Sequence, residues 1–120
     1  MPVRGIRGAT SVETNSKDEI FSKTKELLET LVKKNNLNIE DVASAIFSVT
    51  DDIDEAFPAE AARKIGWDFV PLFSCREIPV KGSPHGIVRA LIHVNTEKTQ
   101  RELMHSYLHR AAALRPDIGN

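Results

Sequence analysis

The chain has 120 residues, 41% hydrophobic and 28% charged, with a formal net charge of -1 and a single cysteine. That length suits one domain whose core removes about two-thirds of the unfolded surface from water, and it excludes two independent cores. The balance of charge excludes the basic excess that a nucleic-acid backbone demands, and the lone Cys75 excludes an intramolecular disulfide or a zinc-thiolate cluster.

A reducing, cytoplasmic setting is expected on two grounds. The opening Met1-Pro2-Val3-Arg4 lacks the apolar run of a signal peptide, and no window approaches the ~20 apolar residues that span a bilayer.

Val3 to Thr10 alternates as a first strand, with Val3, Gly5, Arg7 and Ala9 on one face and Arg4, Ile6, Gly8 and Thr10 on the other. Glycines flank Arg7 and let another backbone or a ligand come close, so Arg7 either projects across open space or is a solvated edge charge. Ser16-Lys17-Asp18-Glu19 is a capping box that opens one long amphipathic helix with Ile20, Phe21, Leu27, Leu28, Leu31 and Val32 inward. Lys33 and Lys34 suit its negative end, and Asn35-Asn36 stops it.

Asn38 followed by Ile39-Glu40-Asp41-Val42 predicts a capped helical turn, and Ala45-Ile46-Phe47-Ser48-Val49-Thr50 a second strand. The acids Asp51, Asp52, Asp54 and Glu55 then break the strand; their spacing matches no EF-hand loop, so they read as a solvated loop ahead of the alternative, a site for a hard divalent cation. Phe57-Pro58-Ala59-Glu60-Ala61-Ala62-Arg63-Lys64-Ile65-Gly66 predicts a short helix, with proline near its start and glycine just past its end. Arg63 either complements the dipole of that helix or reaches toward a neighbouring anion.

Phe69-Val70-Pro71-Leu72-Phe73-Ser74 resumes extended structure, and Pro71 marks an edge or a bulge. A regular strand puts Ser74 and Glu77 on opposite faces, so a joint role requires the chain to turn near Cys75 and Arg76. Cys75 reads as a small buried filler. Lys81-Gly82-Ser83-Pro84 is a turn, and Ile87-Val88-Arg89-Ala90-Leu91-Ile92-His93-Val94 is a strand apolar on both faces except at Arg89 and His93. A guanidinium there requires a carboxylate such as Glu77 or a bound anion.

Thr99-Gln100-Arg101-Glu102 forms a second capping box and predicts a helix with Leu103, Met104, Tyr107, Leu108, Ala111 and Leu114 on one face. His105 and His109, four apart, lack a third ligand and read as an exposed pair. A proline-stopped tail at 115–120 is expected to be mobile.

Several separated segments carry a resemblance: Arg4-Gly5-Ile6-Arg7-Gly8-Ala9-Thr10 with Val12-Glu13, Phe57-Pro58-Ala59 with Arg63, Val70-Pro71 with Glu77, Arg89, His105-Ser106-Tyr107-Leu108, and Leu114-Arg115-Pro116-Asp117. In this order the chain resembles the small monofunctional chorismate mutases of the α/β class, from residue 3 to about residue 118. The resemblance implies an α+β fold with a mixed β-sheet packed against helices, assembled as a homotrimeric pseudo-α/β-barrel with clefts between subunits. It implies conversion of chorismate to prephenate without cofactor or metal, in phenylalanine and tyrosine biosynthesis, and no nucleic-acid or membrane partner.

Carried onto matching positions, the resemblance makes Arg89 the donor to the ether oxygen. Arg7 and Tyr107 hold the side-chain carboxylate, and Glu77 accepts from the ring hydroxyl. Phe73 and Ser74 line one wall, with Cys75 and Arg76 contributing more weakly; Phe57, Ala59, Arg63, Leu114 and Arg115 enclose the cleft, some from the adjacent chain. Glu60 stands where a lysine can occur at the cleft mouth, a change expected to weaken capture of a dianion more than its chemistry.

Overall fold

A computed structural model describes residues 1–116. Strand β1 (Val3–Ser11) is followed by helix α1 (Lys17–Asn35), a 3-10 turn (Ile39–Asp41), strand β2 (Val42–Val49) and helix α2 (Pro58–Lys64). Strands β3 (Leu72–Arg76) and β4 (Ile87–Asn95) come next, then a 3-10 turn (Gln100–Glu102), the two-residue strand β5 (Ser106–Tyr107) and a 3-10 segment (His109–Leu114). The result is an α+β fold on one mixed sheet of order β3-β2-β4-β1-β5. The β4 strand runs antiparallel to β1 and β2, while β3 and β5 join the two edges in parallel.

Local signals account for most elements. At the start of α1 the Ser16 hydroxyl accepts the Glu19 N–H at 3.2 Å, but the Glu19 carboxylate accepts from the Glu13 N–H, so only half of the expected capping box forms. Asn36 ends the helix in the left-handed region at φ 50°, as an asparagine can. Ile20, Leu27, Leu28 and Leu31 are fully buried, each contributing about 2 kcal/mol of apolar burial. Leu27, Leu28 and Leu31 meet Ile6, Phe47, Ala62, Trp67 and Ile92 in a core between the two helices and one face of the sheet, and Ile20 packs with Val12, Ile53 and Val88 in a smaller cluster.

The opposite face of the sheet is covered only at one end among the described residues, where Ala9, Ile87, Tyr107 and Ala111 form a small buried cluster with Leu114. Val88, Ala90, Ile92 and Val94 of β4 are buried, whereas Arg89, Leu91 and His93 are half-exposed. The strand expected to be apolar on both faces except at Arg89 and His93 is thus fully closed within one chain only on its helix-facing side.

Three further expectations change. Residues 67–70 form a turn closed by the Val70 N–H donating to the Trp67 carbonyl at 3.3 Å, and the strand expected from Phe69 begins at Leu72, after Pro71. Its edge position agrees with that proline, and it leaves Cys75 exposed instead of buried.

The helix expected from Thr99 to Leu114 is absent. Its capping box closes, but around a single 3-10 turn. The buried Asn35 carboxamide then captures Met104, accepting its N–H at 2.7 Å and donating to its carbonyl at 2.9 Å, and Ser106 and Tyr107 pair with Gly8 and Ala9 of β1. These long-range hydrogen bonds satisfy the backbone that a helix would have satisfied locally, and they override its propensity. His105 and His109 consequently do not share a helix: the His105 ring accepts from the Arg7 N–H at 2.9 Å, and His109, at φ 54°, lies 2.8 Å from a Glu26 carboxylate oxygen. Of the expected mobile tail 115–120, residues 117–120 lie outside the described residues.

Candidate active site

Strand register builds the site on the sheet face away from the helices. Cys75 of β3 lies beside Ser48 of β2, Ser48 opposite Arg89 of β4, Arg89 opposite Ala9 of β1, and Ala9 beside Tyr107 of β5. These residues form one row across all five strands. Phe73, Ile46, Leu91 and Arg7 form the next row. Ala9 is the small member of its row, and its methyl leaves room between the guanidinium of Arg89 and the phenol of Tyr107.

Glu77 completes the row from beyond the end of β3. Its N–H donates to the Val49 carbonyl at 2.8 Å, which extends the β3 backbone by one residue and sends the carboxylate to the same side as Cys75. There it accepts a hydrogen bond from Nε of Arg89. The side chains are 39% exposed for Arg89 and 25% for Glu77, so the pair faces a cavity and is not sealed in a core. That cavity holds about 390 Å³ and is lined by Arg7, Ser48, Arg76, Glu77, Arg89 and Tyr107, among others.

Gly8 sets the closeness of this arrangement. A Cβ on it would stand 2.9 Å from both the Ser106 carbonyl oxygen and a Leu27 methyl, so glycine alone lets β5 lie against β1 with α1 beneath. Tyr107 is then buried against Ala9, Ile87 and Ala111, with Leu114 packed on the same cluster. Burial, and after it the charges of Arg7 and Arg115, hold the His105 imidazolium below its ordinary value of 6.5. The neutral ring keeps Nδ1 free to accept the Arg7 N–H.

Ser74 does not join Glu77. The alternation of β3 turns it toward a second cavity of about 490 Å³, which Phe57, Glu60, Cys75 and Arg76 also line. The two cavities share only Cys75 and Arg76. Arg76 is tied to Asp51 at 3.2 Å. Phe57 and Phe73 are 64% and 67% exposed, Arg63 is exposed on α2, and Ala59 is buried in the core. The expected site residues thus fall into two groups: Arg7, Glu77, Arg89 and Tyr107 with Cys75 and Arg76, and Phe57 and Ser74 about the second cavity. Phe73 and Arg63 lie on open surface.

Sequence reasoning passed over four contributors. Asn35 was legible only as a helix stop, and His105 only as a surface histidine. Ser48 and Ala9 become neighbours of Arg89 through strand order alone. Among the described residues no group of three or more His, Cys, Asp or Glu side chains could hold a metal ion, and no helix is long and apolar enough to cross a membrane.

Arginines, one acceptor carboxylate and a phenol on one open sheet face of a small α+β protein are groups that can orient an organic anion and stabilise charge on it. The family model for chorismate mutase type I matches residues 3–118. Chorismate mutase AroH of Thermus thermophilus is 47% identical over 97% of this chain and 96% of its own, and that of Bacillus subtilis is 40% identical over 98% and 94%. A solved chorismate mutase from Clostridium thermocellum superposes with a TM-score of 0.89 at 45% identity, covering 91% of this chain and 97% of that one. The chain belongs to the chorismate mutase type I family, a family of isomerases.

Proposed function

We propose that the protein rearranges chorismate to prephenate in the cavity around Arg89, as one chorismate mutase domain over residues 1–120. The observation that carries this reading is the Arg89–Glu77 pair, set in register between Ser48 and Ala9 and facing a cavity that Arg7 and Tyr107 also line. The reaction is an intramolecular pericyclic shift, in which an ether C–O bond breaks as a C–C bond forms. It calls on the protein for conformation and charge stabilisation, without a nucleophile or a proton carrier.

Glu77 holds Nε of Arg89, which leaves the two Nη groups for the ligand. In this assignment Arg89 donates to the ether oxygen as negative charge grows there, and Arg7 and Tyr107 hold the side-chain carboxylate. Glu77 accepts from the ring hydroxyl. Arg115, whose charge bears on His105 beside Arg7, closes the C-terminal side with Leu114.

We further infer that the cleft is completed in a homotrimer. Phe73, Ile46 and Leu91 form an uncovered apolar row beside the charged one, and Phe57, Phe73, Ser74 and Arg63 lie away from Arg89 within one chain. A neighbouring copy that brings its Phe57 and Phe73 to this face covers apolar surface and encloses the ligand. Light scattering tests this: a mass near three times 13.4 kDa is expected, and a monomer overturns it. The lone thiol, Cys75, supports a cytoplasmic setting.

The deciding experiment follows the loss of chorismate absorbance with prephenate identified as product. Turnover supports the reading. A folded protein that binds a bicyclic transition-state analogue and converts nothing overturns it.

A further inference from the structure

We propose that Arg110 is a positioning residue for this reaction, clamping the C-terminal part of the site to the start of the strand that carries Arg89. The inference rests on the function proposed above and adds a residue that touches neither the cavity nor the Arg89–Glu77 pair.

Arg110 lies in the 3-10 segment His109–Leu114, between Tyr107 on one side and Leu114 and Arg115 on the other. Each nitrogen of its guanidinium has a different acceptor. Nη1 donates to the His85 carbonyl at 3.2 Å, Nη2 to the Val12 carbonyl at 3.1 Å, and Nε to the Glu13 carboxylate at 2.9 Å. Its own N–H donates to the Ser11 hydroxyl at 3.1 Å. One side chain thus ties the C-terminal segment both to the turn after β1 and to the loop before β4.

The receiving loop is built for this contact. Gly86 has φ 66°, and a Cβ there would lie 2.6 Å from the Val12 carbonyl oxygen and 3.0 Å from Nη2 of Arg110. The loop is held from its other side, where the Asp52 carboxylate accepts the Gly86 N–H at 3.2 Å and the Thr50 hydroxyl accepts the Ile87 N–H at 3.0 Å. Arg89 follows three residues after Gly86. Arg110 is therefore the guanidinium through which the segment bearing Leu114 and Arg115 is referenced to the Arg89 strand.

Tyr107 has its own anchor in the β5 pairing with β1, and Arg89 has Glu77. Loss of the clamp accordingly falls on Leu114 and Arg115, which in the assignment above close the C-terminal side of the cleft, and spares the donor to the reacting ether. The Arg110–Glu13 ion pair contributes little, because the two side chains are 46% and 72% exposed. The carbonyl bonds carry the geometry, and a lysine cannot reach all three acceptors.

The test measures KM, kcat and Tm of the full chain for R110A, R110K and E13A, with chymotryptic cleavage after Leu108 and Leu114 as a second readout. R110A is expected to raise KM about tenfold while kcat stays within about threefold, and to speed cleavage about tenfold. R110K should lie between R110A and the parent, and E13A should keep a KM near the parent value. A folded R110A with KM within about twofold of the parent, or with a loss confined to kcat, overturns the proposal. If R110A does not fold, a parent-like KM in R110K overturns it instead. If the parent protein does not turn over chorismate, the functional reading fails, and unchanged cleavage in R110A separately overturns the clamp.

Discussion

Replacing Arg89 by alanine separates chemistry from stability in this site. The change removes two things at once: the donor aimed at the cavity and the partner of Glu77. Loss of one preorganised donor to a developing oxyanion lowers kcat by about 10²–10³, equivalent to about 3–4 kcal/mol of transition-state stabilisation. The folded state loses much less. With side chains 39% and 25% exposed, the pair lies near the surface regime, where a salt bridge contributes about 1 kcal/mol, or about 4 °C in Tm for a chain of this length.

The expected R89A protein is therefore folded, melts a few degrees lower and turns over at least a hundredfold more slowly. R89K should recover only part, since an ammonium cannot hold Glu77 and present a planar pair of donors together. E77Q combined with R89A should cost less than the sum of the single changes, because the two side chains act as a unit. Stopped assays of prephenate formation alongside thermal melts decide the matter. A kcat within about tenfold of the parent, or a loss that merely tracks unfolding, would refute the role assigned to Arg89.

Three other outcomes are expected. Gly8→Ala puts a methyl 2.9 Å from the Ser106 carbonyl oxygen and should destabilise by about 1–3 kcal/mol, with KM rising as Tyr107 shifts; urea titration with steady-state kinetics reads both. Asn35→Ala strips the Met104 N–H and carbonyl of their partners and should lower the urea midpoint by an amount equivalent to about 2–3 kcal/mol. For His105, the depressed folded-state value means that its contribution to stability is fully present above pH 6.5 and is lost as pH falls through the lower folded-state value. Tm measured against pH should therefore drop on the acid side, and H105N, whose carboxamide oxygen can still accept the Arg7 N–H, should flatten that drop; an unchanged profile in H105N assigns the drop to another group.

Much of the fold was legible because its signals are local. The caps and apolar stripe of α1, the proline and glycine that bracket α2, and the alternation of β1 each act within a few residues of chain. The demand of Arg89 for a carboxylate was legible too, since a charge in an apolar strand is unfavourable wherever it lies, and Glu77 answered it. The exposure of Cys75 was not legible, because it follows from the edge position of β3, which is a property of strand order.

By itself the sequence determined where most helices and strands form, which residues are anomalous among them, and the family to which the chain belongs. Tertiary structure alone decided that residues 103–108 abandon a helical pattern, that one face of β4 stays open, and that Cys75, Ser48, Arg89, Ala9 and Tyr107 stand in one row. The physical reason is the range of the forces involved. Propensity, caps and periodicity act within a turn or two of chain, whereas the hydrogen bonds of Asn35 to Met104 and of β5 to β1 join residues far apart in sequence, and no local pattern records them.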